Sequence, residues 1–220
     1  MGYDIDLEVV RRNIGDFVLA IEMTLAISAV AMVLSLVAGL LVALLRVSKT
    51  QFLRAPAQAY INFFRGAPQY ILIFWVYYGL AMLFKVNFSP FTAGVISLSL
   101  QYGASLAEVY RSGIEAVGKG QREAAMATGL TPMQATRYIV LPQAIRIVLP
   151  ALGNSWISMV KDSSLVSAIG VMDIMLVASL RANDYFRPFE FLTLAALLYI
   201  GLTFIFFYVN QSLENRLRMA

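Results

Sequence analysis

Residues 24–45 read TLAISAVAMVLSLVAGLLVALL and contain no Asp, Glu, Lys or Arg. A continuous apolar run of this length matches the roughly 20 helical residues that cross about 30 Å of hydrocarbon. Three further runs without charged residues follow, at 67–84, 86–107 and 191–212. These runs are continuous and do not alternate with a period of two, as the strands of membrane barrels do. Backbone polar groups in lipid must be satisfied within their own segment, so the sequence predicts membrane-spanning helices.

The composition is typical of a protein embedded in a lipid bilayer. Of 220 residues, 60% are hydrophobic and 14% are charged, and the chain contains no Cys and no His. This removes thiol nucleophiles, the usual zinc ligands and the commonest general base, so we expect no catalytic residue, no metal site and no cofactor. The net charge of +4 does not indicate a nucleic-acid-binding surface, and we expect no nucleic-acid partner. The informative property is the position of the basic residues along the chain.

A fifth largely apolar stretch, 147–172, is interrupted by Lys161 and Asp162. Two adjacent opposite charges in such a stretch are costly, and they indicate either a solute site or a structural ion pair. Neighbouring residues point about 100° apart on a helix, so both side chains face one lumen only if the helix is unwound there. Ser163 and Ser164 favour such an unwinding.

The distribution of basic residues predicts the orientation of the chain. Between the first two spans lie Arg46, Lys49, Arg54 and Arg65, with no acidic residue. Cytoplasmic loops carry such an excess of Lys and Arg. With Lys161 set aside, 11 basic residues lie on this side and 5 on the other. We therefore expect the N-terminus outside, the C-terminus inside, and a single domain, 1–220, with five spans at about 17–45, 67–84, 90–110, 145–170 and 190–212.

The long connector after the third span, about 112–142, has the most specific local chemistry. Residues 121–142 read QREAAMATGLTPMQATRYIVLP and predict two short helices joined by a bend. Gly129 suits the left-handed position just beyond a helix C-terminus. An N-cap, a first-turn proline and a capping-box partner follow, supplied by Thr131, Pro132 and Gln134. We expect Glu123 to open the first of the two helices, where the macrodipole favours an acid.

The same connector resembles the signature loop of importer-type ABC transporter permeases. The residues that carry the resemblance are Glu123, Ala124, Ala125, Gly129, Ile139, Leu141 and Pro142, which stand at the spacing of that loop. The resemblance implies that the connector couples the chain to a cytoplasmic ATPase, through Glu123, Ala124, Ala125, Gly129, Leu141 and Pro142. The alternative is an amphipathic connector lying on the membrane surface. The chain has no G-x-x-x-x-G-K-[ST] loop, so ATP and Mg²⁺ would be bound by the partner ATPase subunit.

The resemblance extends along most of the chain and is to the polar amino acid branch of these permeases. It includes Arg65-Gly66-Ala67-Pro68 and Lys161-Asp162-Ser163-Ser164-Leu165. It implies an all-α membrane protein with the type I importer permease fold, in the cytoplasmic membrane of a prokaryote. Such a subunit moves a polar amino acid, or a related solute such as an opine. The implied partners are the ATPase subunit, a second permease subunit (identical or paralogous), an extracytoplasmic solute-binding protein and membrane lipid.

Several polar residues are candidates for contact with the solute. At Leu72, Gln101, Tyr102 and Ser105 the chain departs from the residues more usual in that branch, which are Gln, Asn, Ser and Tyr. The candidate solute-binding residues are Lys161, Asp162, Ser163, Ser164, Leu165, Gln101, Tyr102 and Ser105. For other residues a packing role is expected: an interhelical hydrogen bond for Gln69, a surface ion pair of Glu108 with Arg111, and an outer interfacial helix over 6–17.

Two other classes of membrane protein remain as alternatives. A secondary transporter or channel would need no ATPase, but its usual sign is a pair of inverted repeats with broken helices, and the sequence shows one interrupted span. A membrane-embedded enzyme without His or Cys would have to rely on a pair such as Lys161 and Ser164.

Overall fold

The computed structural model describes residues 4–48 and 50–219, with side chains up to Arg216. Lys49 and the side chain of Arg218, two of the 11 basic residues assigned to the cytoplasmic side, lie outside the described residues. Within the described part of the chain, all regular elements are helices. They are α1 (Leu7–Arg12), α2 (Ile14–Arg46), α3 (Gln51–Gly66), α4 (Gln69–Phe74), a π-helical turn (Trp75–Leu80), α5 (Ala81–Phe84), α6 (Pro90–Ala116), α7 (Lys119–Ala127), α8 (Pro132–Ala135), a second π-helical turn (Thr136–Val140), α9 (Leu141–Asp162), a 3₁₀ helix (Ser163–Ile169), α10 (Ile174–Tyr185) and α11 (Pro188–Met219).

The N-terminal helix is shorter than the sequence indicated. Asp6 caps α1 by accepting hydrogen bonds from the N–H groups of Glu8 and Val9 at 2.9 and 3.3 Å. The helix stops at Asn13, whose side-chain amide donates to the Val9 carbonyl at 2.8 Å. The expected interfacial helix over 6–17 is therefore wrong in its second half, because residues from Ile14 onward belong to α2.

Helices α2 and α6 form the most extensive helix contact of the fold. Small residues allow the two helix backbones to approach closely. Such packing is expected in a membrane, where the hydrophobic effect does not drive helices together. On α2, the hydroxyls of Thr24, Ser28 and Ser35 donate to the carbonyls four residues earlier, at 2.9, 2.6 and 2.7 Å. These polar side chains are satisfied locally, so they can lie fully buried in the bundle.

Residues 51–66, expected as part of a turn between the first two spans, form the 16-residue helix α3. That expectation was wrong because one side of the segment is apolar and packs on the bundle. Ile61 is buried, and the Tyr60 hydroxyl donates to the Leu100 carbonyl of α6 at 2.7 Å. The chain then bends by 109° between Gly66 and Gln69. Pro68 lacks the N–H that a continuous helix would need, and it marks this break.

The helix does not unwind at the charged residues of the fifth apolar stretch; it continues there as a tighter, 3₁₀ helix. Lys161 and Asp162 are the last two residues of α9, and the chain continues directly into the 3₁₀ helix. That helix ends at Gly170, which has φ +91°. Asp173 then caps α10 by accepting the N–H of Leu176 at 2.9 Å. The expected unwound break at Ser163 and Ser164 is therefore absent, because these residues keep helical geometry.

Among the described residues, two helices are long and apolar enough to cross a membrane, Ile14–Arg46 and Pro188–Arg216. The number rises to four if each of two bent helix pairs is counted as one span. One pair is Gln51–Gly66 with Gln69–Phe84, and the other is Pro132–Ile169 with Ile174–Tyr185, which is bent by 49°. Helix α6 is 27 residues long, about 40 Å at 1.5 Å per residue, but it is not among these candidate spans.

Candidate functional site

A polar cavity of about 510 Å³ lies between the bend after α3, helix α6 and helix α9. Each helix contributes residues at helical spacing, so that one face of it borders the cavity. On α9 the spacing of four residues joins Asn154, Ser158 and Asp162, and on α6 it joins Gln101 and Ser105. The lining residues are Arg65, Gln69, Gln101, Tyr102, Ser105, Asn154, Ser155, Ser158 and Asp162.

Asp162 is held in this cavity by a side chain from the facing helix. The Tyr102 hydroxyl donates to Asp162 Oδ2 at 2.7 Å, which joins α6 to α9. A neutral hydroxyl offsets only part of the carboxylate charge, so Asp162 leaves a negative field in the cavity. Lys161 is exposed and does not line the cavity. The adjacent acid and base therefore do not form one site, since successive residues on a helix point in different directions.

The three residues after Asp162 lie outside the cavity lining and make structural contacts. Ser163 is fully buried, and its hydroxyl donates to the Val160 carbonyl at 2.8 Å. The carbonyl of Ser164 accepts the Ser167 hydroxyl at 2.7 Å. Leu165 packs against the main hydrophobic core. Of the candidate solute contacts, the structure brings together Gln101, Tyr102, Ser105 and Asp162, and leaves out Lys161 and 163–165.

Gln69 opens α4 beside the cavity, and its amide is buried but unpaired. The residue is 8% exposed, and neither the oxygen nor the nitrogen of its side chain has a hydrogen-bond partner among the described residues. The expected interhelical hydrogen bond of Gln69 is therefore wrong. An unsatisfied buried polar group costs about 1–3 kcal/mol. Such an amide at the edge of a polar cavity indicates a ligand or water that completes its hydrogen bonds.

Five lining residues were not predicted as solute contacts: Arg65, Gln69, Asn154, Ser155 and Ser158. Arg65 was used as a basic residue that sets orientation and as part of the family resemblance, and Gln69 was given a packing role. On α9 a signal was present, because Asn154 and Ser158 precede Asp162 by eight and four residues. That spacing places all three on one helix face. The cavity thus combines one guanidinium, one carboxylate and several amides and hydroxyls.

Two further side-chain predictions can be placed. The Glu108 and Arg111 pair forms, with Nη2 to Oε2 at 2.7 Å, and Arg111 also pairs with Glu115. The Glu108 and Arg111 side chains are only 19% and 29% exposed, so the pair is partly buried and not a free surface contact. Gln101 is anchored as well, since its Nε2 donates to the Ala67 carbonyl at 2.9 Å. This bond holds α6 against the bend after α3.

The bend in the 112–142 connector is confirmed. Gly129 has φ +91°. Its N–H donates to the Met126 carbonyl at 3.0 Å, and the N–H of Leu130 donates to the Ala125 carbonyl at 3.3 Å. These two bonds are the C-terminal closure that a left-handed glycine permits.

The start of the second connector helix is also confirmed. Thr131 Oγ1 accepts the N–H of Gln134 at 3.4 Å, and Gln134 Oε1 accepts the N–H of Thr131 at 2.9 Å, which completes a capping box. The expectation for Glu123 is wrong, because α7 begins at Lys119 and places Glu123 in its second turn. The helix starts earlier because Gly118 supplies the extended N-cap.

Comparison with known proteins gives one consistent family. Residues 35–219 match the family described as "Binding-protein-dependent transport system inner membrane component". The probable amino-acid permease protein YxeN of Bacillus subtilis (strain 168) is 36% identical over 213 residues, which cover 96% of this chain and 95% of the relative. The probable amino-acid ABC transporter permease protein PatM of Vibrio harveyi is 38% identical and covers 90% of this chain and 89% of its own.

Solved structures show the same fold. The crystal structure of an amino acid ABC transporter with histidines has a chain that is 35% identical, with a TM-score of 0.93, covering 97% of this chain and 100% of its own. The MetNI methionine ABC transporter in an inward-facing conformation has a TM-score of 0.79 at 22% identity and shows the fold alone.

These likenesses confirm the type I importer permease fold and the function inferred from the connector. The chain is a membrane subunit of an ATP-driven importer, and ATP hydrolysis belongs to a separate subunit, which sets aside the alternatives of a secondary transporter, a channel and a membrane enzyme. With the match covering 35–219 of 220 residues, the chain belongs to the family of binding-protein-dependent transport system inner membrane components.

Proposed function

We propose that this chain imports a polar amino acid, or a related zwitterionic solute such as an opine, through the cavity between α6 and α9. The relatives that support a solute of this class are amino acid permeases by name. The observation that carries the proposal is the Asp162 carboxylate, held by Tyr102 in a cavity that Arg65 also lines. The opposite charges come from different helices, so they can face the two charged groups of one solute.

The chemistry of a zwitterion explains why both charges are needed. An amino acid carries an ammonium and a carboxylate, and a pathway through the membrane must replace water around each of them. Asp162 would receive the ammonium, and Arg65 would receive the carboxylate as a planar donor of several N–H groups. The unpaired Gln69 amide would supply further hydrogen bonds to the same solute. Gln101, Ser105 and Asn154 would surround its side chain.

The assembly that this function requires contains further polypeptides. A second permease subunit, identical or paralogous, would complete the pathway from the other side. An extracytoplasmic solute-binding protein would deliver the solute, and lipid would surround the five spans. An ATPase subunit would bind ATP and Mg²⁺, so the chain itself needs no cofactor and no metal ion.

The ATPase would dock on the connector formed by α7 and α8. Exposed residues there include Glu123, Ala124 and Gly129, while Ala125 is buried behind them. Leu141 and Pro142 are exposed in the first turn of α9. Motion of a docked ATPase would therefore pass directly into the helix that carries Asp162.

We expect Asp162→Asn to weaken solute binding at least tenfold in the purified permease–ATPase complex. The change nearly preserves shape but removes the charge, and hydrogen bonds to a charged group contribute about 1.5–3 kcal/mol. Equilibrium dialysis with radiolabelled polar amino acids measures the Kd without the binding protein, whose own affinity would mask the effect. Basal ATP hydrolysis should be retained, because the connector is unchanged.

The matched control for this experiment is Asp184→Asn. Asp184 pairs with Arg181 on α10, outside the cavity lining, at 3.0 Å. It should leave the Kd unchanged. A lower melting temperature of Asp162→Asn, with an unaltered Kd in the surviving complex, would show a structural role for Asp162. Gln101, Tyr102 and Ser105 would then be the next candidates for contact with the solute.

A reporter fused after Ala220 should be active only in the cytoplasm. The reason is the excess of basic residues in the segments assigned to that side. The measurement is the paired activity of a periplasm-specific and a cytoplasm-specific reporter at the same fusion point. Activity of the periplasmic reporter would contradict both the five spans and the inward C-terminus.

A further inference from the structure

Helix α11 contacts α9 through Asn210, a residue that is 9% exposed. The amide lies directly against the backbone of α9 at Gly153. A Cβ atom built at Gly153 would be 1.8 Å from Asn210 Oδ1, so only glycine leaves room for the amide at this place. Asn210 is therefore fixed against one particular turn of α9, and the following residue, Asn154, lines the polar cavity.

The hydrogen bonds of Asn210 determine which way its amide points. Its Nδ2 lies 3.2 Å from the Pro150 carbonyl oxygen and 3.3 Å from Asn154 Oδ1. A carbonyl can only accept, so Asn210 must direct its NH₂ group towards Pro150. The second hydrogen of that NH₂ group is then available to Asn154, which can receive it only through its oxygen.

This direction is transmitted to the cavity. Because the oxygen of Asn154 is turned towards Asn210, its own NH₂ group is left on the other side of the amide. Asn154 is exposed and borders the same cavity as Ser158 and Asp162. The group that it offers there is consequently a hydrogen-bond donor, although a free asparagine could offer either a donor or an acceptor.

We propose that Asn210 is a positioning residue that fixes Asn154 as a hydrogen-bond donor towards an acceptor oxygen of the solute. The acceptor is a carboxylate or a side-chain carbonyl oxygen. Asn210 does not line the cavity, so it selects the solute only through Asn154. The inference rests on the proposed function of the cavity as the solute pathway. It makes the contact between α11 and α9 a determinant of specificity as well as of packing.

The test compares solute binding in two backgrounds. The variants are Asn210→Leu, Asn154→Ala and the double variant, with Asn210→Ala as a second truncation in case the leucine disturbs assembly. Each is made in the full permease–ATPase complex. Equilibrium dialysis with a panel of radiolabelled L-glutamine, L-glutamate, L-arginine and L-histidine gives the Kd values. The matched control is Thr203→Val, seven residues earlier and thus on the same face of α11. The Thr203 hydroxyl is buried and has no hydrogen-bond partner among the described residues.

We expect Asn154→Ala to raise the Kd about five- to tenfold, as for the loss of one hydrogen bond of about 1–1.5 kcal/mol. Asn210→Leu should raise it at least threefold, with basal ATP hydrolysis within twofold of the unmodified complex. In the Asn154→Ala background, Asn210→Leu should add nothing, because the group through which it acts is gone. Thr203→Val should leave every Kd unchanged.

The outcomes separate this inference from the function on which it rests. An equal increase in Kd from Asn210→Leu in both backgrounds would mean that Asn210 acts through packing, and would overturn the inference. Unchanged Kd values for Asn210→Leu and Asn210→Ala would also overturn it. If Asn154→Ala had no effect, the inference would fall while the pathway itself would still be judged by Asp162→Asn. If Asp162→Asn also left the Kd unchanged, the proposed function of the cavity would fall.

Discussion

Replacement of Gly129 by valine is expected to reduce solute uptake by an order of magnitude or more. Gly129 has φ +91°, a conformation that a β-branched residue adopts only with strain. The cost is about 1–3 kcal/mol, and every 1.4 kcal/mol corresponds to a factor of ten in an equilibrium. The bend between α7 and α8 would therefore open in most molecules, and the surface proposed to receive the ATPase would be lost.

The measurements are solute uptake into reconstituted vesicles and copurification of the ATPase with the permease. Gly129→Asn should keep most of the activity, because asparagine tolerates the left-handed conformation better than other residues do. Gly120→Ala is the matched control, since Gly120 lies inside α7 and a Cβ there meets nothing within 4 Å. Full uptake and solute-stimulated ATP hydrolysis by the Gly129→Val complex would refute the coupling role of the bend.

Replacement of Gly39 by leucine is expected to prevent folding of the bundle. A Cβ at Gly39 would be 2.8 Å from Leu106 Cβ, 3.0 Å from the Gly103 carbonyl oxygen and 3.2 Å from the Ala107 nitrogen. Two of these atoms belong to the backbone of α6 and cannot rotate away. Overpacking by a methyl group costs about 1–3 kcal/mol. A leucine would have to force α2 and α6 apart along their whole contact.

Expression level and melting temperature in detergent measure this effect. Gly39→Ala should lower the melting temperature by several degrees, and Gly39→Leu should give little or no folded protein. The matched control is Gly201→Leu on α11, where a Cβ meets nothing within 4 Å. A folded Gly39→Leu complex with normal melting would show that α2 and α6 do not pack as closely as described.

The sequence predicted the local backbone structure correctly where one or two residues determine it. Gly129 takes the left-handed position and Thr131 with Gln134 forms the capping box, because each depends on neighbours within three residues. Glu123 was misplaced in its helix because the start of α7 is set by Gly118, outside the motif. Proximity in sequence also misled the interpretation at Lys161, since a helix turns adjacent side chains to different faces.

Helix α3 was missed for a related reason. Its basic residues were read as a sign of orientation, and that orientation stays a prediction. The same segment contains Tyr60 and Ile61, which pack on the bundle: the Tyr60 hydroxyl bonds to α6 and Ile61 is buried. The bend of 109° that follows it brings Arg65 and Gln69 into the cavity wall.

The sequence by itself determined that the protein is a helical membrane permease and that its connector bends at Gly129. The helical spans follow from long apolar runs and the bend from residue types at fixed short spacing, whereas the permease function follows from the resemblance to a known family. Only the tertiary structure decided which polar groups meet. Tyr102 and Asp162 are 60 residues apart, as are Pro150 and Asn210, and both contacts arise because separate helices pack with particular faces together. Periodicity shows that a helix has faces, but the choice of facing partner depends on the packing energy of the whole bundle, and no short segment contains that information.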